Sequence, residues 1–470
     1  MRKMVPAKGI AIIIISLIIS QISPFSPEAN EALETSGSNI LYVSKSGSTY
    51  TRIQDALDNA TVGDTVIVEN GTYKENQLLI ENDYISLKGN SSILTRISSD
   101  NYHNIFLRII SDYFSLSGFN ITTERDDMTL IEVEGSFSEI TDCNVYSYSN
   151  LSSIIIMGEG YSDLSISNSS FITIGNYTNI INVSDINNMY ISHSYFIIKG
   201  LESNSIKIDN SNNITINKTN FEITYNNKWI IYDDDDFMHI DYITNGILFN
   251  KVENFLVNNS NFKCIGHGGG GILALNGINS LGLEKQKYHS FCVLIQNCSG
   301  YSSMGNIFEM NNINGLNISN SRNIINSWQC ESILIKNSCN IIFRNNDLSY
   351  IKLHFVNDVI IENNSLIKMV IWSTYVNNLH IFSKDIVVKN NIFLNNDELI
   401  SYPVYVEAKN ISILNNTLTS IRDGIAIEGR NIDIKGNNLD FIGEGLNINS
   451  YYFDDENQRL PSNINVTNNI

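Results

Sequence analysis

The sequence predicts an all-β chain wound as a single-stranded, right-handed parallel β-helix with a short N-terminal helical cap. A degenerate repeat recurs fifteen times, with an apolar residue at offset 0, another at +2, a turn residue at +4 and an apolar residue at +7, as in Leu164 to Phe171, Ile341 to Leu348 and Ile411 to Leu418. Such spacing is the mark of a solenoid of stacked rungs. Position +2 is apolar in all fifteen copies, from Leu87 through Ile216 and Phe343 to Val466. Offsets 0 and +2 therefore share the inward face of a strand, whereas a helical repeat needs apolar positions three and four apart. Finally, +4 is Asn in nine copies, joined by Gly89, Gly118, Gly436 and Asp142. These residue types enter the left-handed region most readily, so +4 reads as a sharp bend between two short strands.

The elements follow in order. Arg2, Lys3 and Lys8 precede the apolar run Ile10 to Ile19, so residues 1–30 read as a secretory signal, cleaved or retained as a signal anchor. An extracellular or cell-surface location is expected. Residues 39–82 form the cap and first strands: Ile53, Ala56, Leu57 and Ala60 make the stripe of a short helix, and Thr65 to Val68 the first strand. The helix covers the open end of the solenoid. Residues 83–470 hold the repeats, anchored at Ile85, Phe114, Ser138, Leu164, Met189, Ile214, Phe255, Val293, Leu316, Ile341, Val359, Ile386, Ile411, Ile432 and Ile464. At +4, Asn168, Asn259, Asn297, Asn320, Asn345, Asn363, Asn390, Asn415 and Asn468 are expected to stack as an inward hydrogen-bonded ladder. At +7, Phe171, Phe196, Phe221 and Phe262 place an aromatic stack inside the barrel. Stacking at the strand spacing of about 4.8 Å gives the rungs a length of roughly 70 Å. The last copy stops at Ile470, before its +7 position, and an open edge there is expected to pair end to end with another copy or to continue.

Composition narrows the partners. A net charge of −19 argues against nucleic acid and anionic membranes, and disfavours polyanionic sugars. No multi-pass membrane pattern is present. Six cysteines lack CxxC spacing and read mostly as small buried apolar residues, with disulfides still open. Seventeen N-x-S/T sequons mark a candidate glycoprotein, although those at Asn168, Asn297 and Asn415 fall in the expected inward ladder.

Within residues 50–97, Ile53, Gln54, Ala56, Ala60, Gly63, Asp64, Val66, Val68, Gly71, Tyr73, Glu75, Leu87 and Gly89 make a pattern that resembles the N-terminal cap of the pectate-lyase-like superfamily. The likeness is to its NosD-like and carbohydrate-binding/sugar-hydrolase branches and to the β-helical surface proteins of archaea. The resemblance implies the fold over nearly the whole mature chain. It does not select an activity, because lyases, hydrolases, esterases and adhesins share that scaffold.

Two insertions, near 222–250 and 264–290, break the spacing: Ile214 to Phe255 is 41 residues and Phe255 to Val293 is 38, where most others lie between 18 and 29. They carry Trp229, Tyr232, Asp233, Asp234, Asp235, Asp236, His239, Asp241 and His267. Rings that stack on sugars beside carboxylates that accept hydroxyl hydrogen bonds suit a saccharide cleft, provided both insertions leave at one corner. No cofactor is implied, though Asp233 to Asp236 could hold a structural cation. Gly266-His267-Gly268 resembles the histidine motif of polygalacturonase-type hydrolases, but the companion motifs, including Arg-Ile-Lys, do not occur. The leading expectation is an exported, non-catalytic surface protein, structural, adhesin-like or glycan-binding. The alternatives are a polysaccharide-active hydrolase or lyase and a NosD-like exported metal-maturation protein, although seven dispersed His and few Met offer no copper cluster for the last.

Overall fold

The computed structural model describes residues 38–99, 104–224, 231–232, 238–239, 244–267, 269–274, 290–304, 307–325, 333–376, 379–381, 383–395, 402–420, 423–441, 445–449 and 463–469. The chain is a right-handed parallel β-helix in which three sheets run the length of the molecule. The first sheet holds offsets 0 and +2. Every anchor from Ser138 to Ile464 pairs in register with the next. Upstream, Val66, Leu87, Leu116 and Ile140 continue the +2 column. Thr65–Val68 is not the first strand: Ile40–Val43 precedes it and pairs with it.

The second sheet carries +7. Phe171, Phe196, Phe221 and Phe262 pair in sequence with ring centroids 5.2, 5.3 and 4.8 Å apart, all buried. Burying each ring contributes roughly 1.5–3 kcal/mol. The column breaks at Gly300 and Asn323, and Phe308 of the third sheet lies edge-on against Phe262 at 6.1 Å. That third sheet, from Leu78–Ile80 to Leu446–Asn449, was not part of the repeat template. Its inward pairs, such as Ile206 and Ile208 or Ile351 and Leu353, complete the core.

Position +4 is a left-handed corner, with φ between 48° and 57° at all nine Asn residues. Their side chains are nevertheless exposed. The inward ladder stands one residue later, at +5. Asn346, Asn364, Asn391 and Asn416 each pass a carboxamide hydrogen bond to the next rung, at 2.9, 2.9, 3.0 and 3.0 Å, and Asn437 continues to Asn469 at 2.9 Å. Toward the N-terminus the same position holds Ser321, Cys298, Ser260, Thr219, Ser194, Ser169 and Cys143. The one-residue shift follows from the bend: a left-handed residue turns its own side chain outward and its successor inward. The sequons at Asn168, Asn297 and Asn415 are therefore on the surface. Gly89 differs from the rest of its column because its backbone is not left-handed; a Cβ there would lie 2.3 Å from the Gly118 carbonyl oxygen, so close rung packing demands glycine.

A second left-handed column stands at offset −1, through Asp163, Asn188, Asn213, Asn254, Asn340, Asp358, Asp385, Asn410 and Asn431. It forms an outer ladder, with Asn188 donating to Asp163 at 2.9 Å, Asn213 to Asn188 at 3.0 Å and Asn431 to Asn410 at 2.8 Å. In the first rungs the column is aromatic, and Tyr84, Tyr113 and Phe137 stack with successive centroids 4.4 Å apart.

The cap helix is Ile53–Leu57, with all of its apolar residues buried. Glu75, almost fully buried, accepts from the Ile53 amide at 2.9 Å. Asp64 accepts from the Asn39 and Thr61 amides at 2.7 Å each; burial raises its pKa, but these bonds outweigh it and hold the carboxyl below its ordinary value. At the far end, Ile464 and Val466 continue the inward columns and are 41% and 44% exposed. The five described cysteines are free thiols. No described helix is long and apolar enough to cross a membrane.

Candidate functional site

The insertions are rooted at two different corners. The first leaves Asn220–Thr224 of the second sheet and returns at Thr244–Asn250 of the third; the second leaves Gly269–Ala274 of the third sheet and returns at Ser290–Gln296 of the first. The shared corner on which a composite cleft depends is absent, and the roots bracket the third sheet instead. Trp229, Asp233 to Asp236 and Asp241 lie outside the described residues. Tyr232 and His239 belong to two short antiparallel strands, Ile231–Tyr232 and Met238–His239. His267 ends the strand Asn261–His267, where the register shifts before it pairs with Met304. Among the described residues no group of three or more His, Cys, Asp or Glu is arranged to hold a metal ion.

A different site emerges near the C-terminal end, on the outer face of the third sheet. Between Ile341 and Val359 the rung is only 18 residues long, and the strand Asp347–His354 runs from the second sheet into the third without a corner. Ser365–Trp372 does the same on the next rung. Val404–Leu414 and Ile425–Lys435 then run from the third sheet into the first. Period two along these strands alternates core with surface. Met369, Ile371, Val404 and Val406 point inward, while Tyr350, Lys368, Val370, Trp372, Tyr405 and Glu407 point outward.

Those outward residues, with Ser373 and Tyr402, line a groove of about 610 Å³. Its floor is Val370, packed beside Tyr405 and Ala426 in one register column. Trp372, 38% exposed, presents its ring at the rim, with His354 edge-on at 5.0 Å and the Lys352 ammonium 4.8 Å from the ring centroid. Lys368 sits over the Tyr350 ring at 5.1 Å, and the Tyr402 hydroxyl accepts from Asn447 at 3.3 Å. Ser373 ties the wall together: its amide donates to Glu407 at 3.4 Å and its hydroxyl to the Glu407 carbonyl at 2.9 Å. Glu407 is in register with Glu428 on the adjacent strand. Burial first, then the Glu428 charge, push the Glu407 carboxyl above its ordinary range, with the Ser373 amide a partial offset. Several aromatic faces around an apolar floor with a carboxylate at the edge suit a pyranose, whose faces are apolar and whose rim is hydroxyl.

No repeating offset marks this site, because its aromatic residues face outward and fall at irregular positions along their rungs. The signal present in the sequence is rung length: 18 residues between Ile341 and Val359, then aromatic residues at outward positions of the next strands.

No protein-family model matches the chain, and no curated protein matches it in sequence. Solved structures with a similar course include the pectin methylesterase of Aspergillus niger, 13% identical over 57% of this chain and 87% of that one, with a TM-score of 0.34. The GH87 α-1,3-glucanase of Streptomyces thermodiastaticus is 11% identical over 88% and 68%, at 0.37. The surface adhesin PfbA of Streptococcus pneumoniae is 13% identical over 87% and 91%, at 0.33. These likenesses are remote; the fold assignment rests on the register of the strands themselves.

Proposed function

We propose that this chain is an exported, cell-surface β-helix that binds polysaccharide through the groove around Val370 and does not turn it over. The observation that carries this reading is the grouping of Tyr350, Trp372, Tyr402 and Tyr405 about an apolar floor with Glu407 at its edge. The apolar run Ile10 to Ile19 supports export. The test is a glycan array followed by titration calorimetry with the Trp372→Ala variant. Saccharide binding that weakens about tenfold or more in the variant supports the reading, since one base-free aromatic platform contributes on the order of 1–2 kcal/mol. A folded protein that binds no saccharide overturns it. The register pair Glu407 and Glu428 favours a second reading as a polysaccharide hydrolase, and release of reducing ends by the wild-type protein, abolished in Glu407→Gln, would select it.

A further inference from the structure

We infer that the corner between the first and second sheets is a glycan-acceptor edge, with N-linked oligosaccharide carried at Asn168, Asn297, Asn363 and Asn415. The inference rests on the export reading and not on the groove. Each of the four opens an N-x-S/T sequence whose hydroxyl residue stands at +6: Ser170, Ser299, Ser365 and Thr417. The left-handed corner decides what such a triplet presents. With φ between 48° and 57° at these +4 residues, the carboxamide points to solvent, the +5 residue turns into the barrel, and the +6 residue returns to the outer face of the second sheet. All four Asn side chains are exposed, and none of the four hydroxyl residues is buried. Among the described residues the carboxamides of Asn168, Asn363 and Asn415 make no hydrogen bond, so nothing has to be broken to modify them. Asn297 donates to Asn258 at 2.9 Å, and a glycosylated amide keeps one N–H for that bond.

The same motif fails one residue earlier in the rung. Asn217 and Asn258 open sequons at +3, which puts their hydroxyls at +5, inside the barrel. Thr219 and Ser260 are 0% and 2% exposed, and each hydroxyl donates to the carbonyl of its own sequon Asn, at 3.0 and 2.9 Å. Asn213 and Asn410 are tied at both ends of their carboxamides into the outer ladder. The four corner acceptors also never stand on neighbouring rungs. Intervening corners carry Tyr195, Asn220, Asn261, Arg322, Asp347 or Ile392 at +6 in place of a hydroxyl, which leaves about 19, 14 and 10 Å between successive acceptors at the strand spacing. Adjacent corners, about 4.8 Å apart, would crowd two sugars. The edge lies across the barrel from the third sheet, so its glycans stand clear of the groove around Val370. The donor is a polyprenyl diphosphate oligosaccharide: the bond from its anomeric carbon to the diphosphate breaks, a bond from that carbon to Asn Nδ2 forms, and the proton lost from Nδ2 goes with the departing diphosphate.

The experiment expresses the full chain in a yeast host, removes N-glycans with an amidase in heavy-oxygen water so that each former acceptor becomes a labelled Asp, and maps the labels by mass spectrometry. The expected result is label at Asn168, Asn297, Asn363 and Asn415, at several-fold higher occupancy than at Asn217 and Asn258. Ser365→Ala should erase the label at Asn363 alone and leave the unfolding midpoint unchanged, because the corner and the Asn364 ladder are untouched. Label at Asn217 and Asn258 equal to that at the corners overturns the inference, since the fold then has no part in selecting acceptors. Label confined to sequons away from the corner, or an unlabelled chain in the medium, overturns it and leaves export standing. An unlabelled chain retained in the cell overturns both readings.

Discussion

Replacing Asn364 by Leu separates the inner ladder from the corner beside it. Asn364 is 2% exposed. Its carboxamide oxygen accepts from the Asn346 amide and side chain, each at 2.9 Å, and its Nδ2 donates to Asn391 at 2.9 Å and to the Phe343 and Glu362 carbonyls at 3.2 and 3.1 Å. Leu fills a similar volume but leaves the Asn346 amide buried without an acceptor, which costs about 1–3 kcal/mol, and removes several bonds of about 0.5–1.5 kcal/mol each. The sum is about 3 kcal/mol or more. Asn363→Ala leaves the corner bond from its amide to the Lys389 carbonyl, 3.2 Å, and costs only the left-handed backbone, about 1 kcal/mol. Asn363→Gly should be nearly neutral. Urea unfolding of the three variants, followed by native-state hydrogen exchange through residues 341–395, measures the order. If Asn363→Ala proves as damaging as Asn364→Leu, the load is carried at the corner and the ladder assignment falls.

Three further outcomes are expected. Glu407→Gln should stabilise the protein at neutral pH and lose that advantage in acid: the folded carboxyl holds its proton more tightly than the unfolded one, so wild-type stability recovers as pH falls through the folded value. Glu362→Gln should do the opposite. Burial raises that carboxyl, but Lys389 and Arg344 outweigh burial and lower it, so its contribution is present above the unfolded carboxylate value and is lost as pH falls through the folded one; melting both variants across pH 3 to 8 would separate them. Burial pushes the Cys143 and Cys298 thiols up to about 12, so an alkylating reagent should leave them untouched until the chain unfolds, while exposed Cys292 reacts in the native state; mass mapping distinguishes the sites.

The sequence carried most of the fold because two of the three inward columns have a strict offset. Apolar +2 and +7 positions can be counted, and the fifteen anchors all fall in register. The ladder stands one residue beyond the column that the sequence advertises, since a left-handed corner selects Asn at +4 just as a buried ladder does. Asn346, Asn364, Asn391, Asn416 and Asn437 are adjacent to that column, but Ser, Thr and Cys occupy the same position earlier in the chain and blur it. The outer column at −1, running from Asp163 to Asn431, is equally legible, but it lies just ahead of the apolar residue that opens each repeat. The third sheet has no fixed offset, as corner lengths before it vary. Outward groove residues obey no repeat at all: the core constrains only the inward side chains of a solenoid.

Rung arithmetic also explains why the groove lies where it does, and yields a last test. The 18-residue rung from Ile341 is followed by one of 27 residues from Val359 to Ile386. Part of that surplus leaves the barrel after Trp372 as two antiparallel strands, Thr374–Val376 and Leu379–Ile381. The base of this excursion is closed by the Ser383 amide donating to the Ser373 hydroxyl at 3.2 Å and by the Ser383 hydroxyl donating to the Trp372 carbonyl at 2.9 Å. On the following rungs, Val404–Leu414 and Ile425–Lys435 cross the same corner with no excursion at all. A rung can therefore close without it. Excising residues 374–381 should leave the unfolding midpoint near wild type, because the inward columns Met369, Ile371, Ile386 and Val388 are untouched and shortening a surface loop costs little. Saccharide affinity should fall with it, since splicing the chain directly after Ser373 re-aims the amide and hydroxyl that hold Glu407. Undiminished affinity in the excised protein would mean that the strand face alone forms the site and that the step in rung length has no part in it.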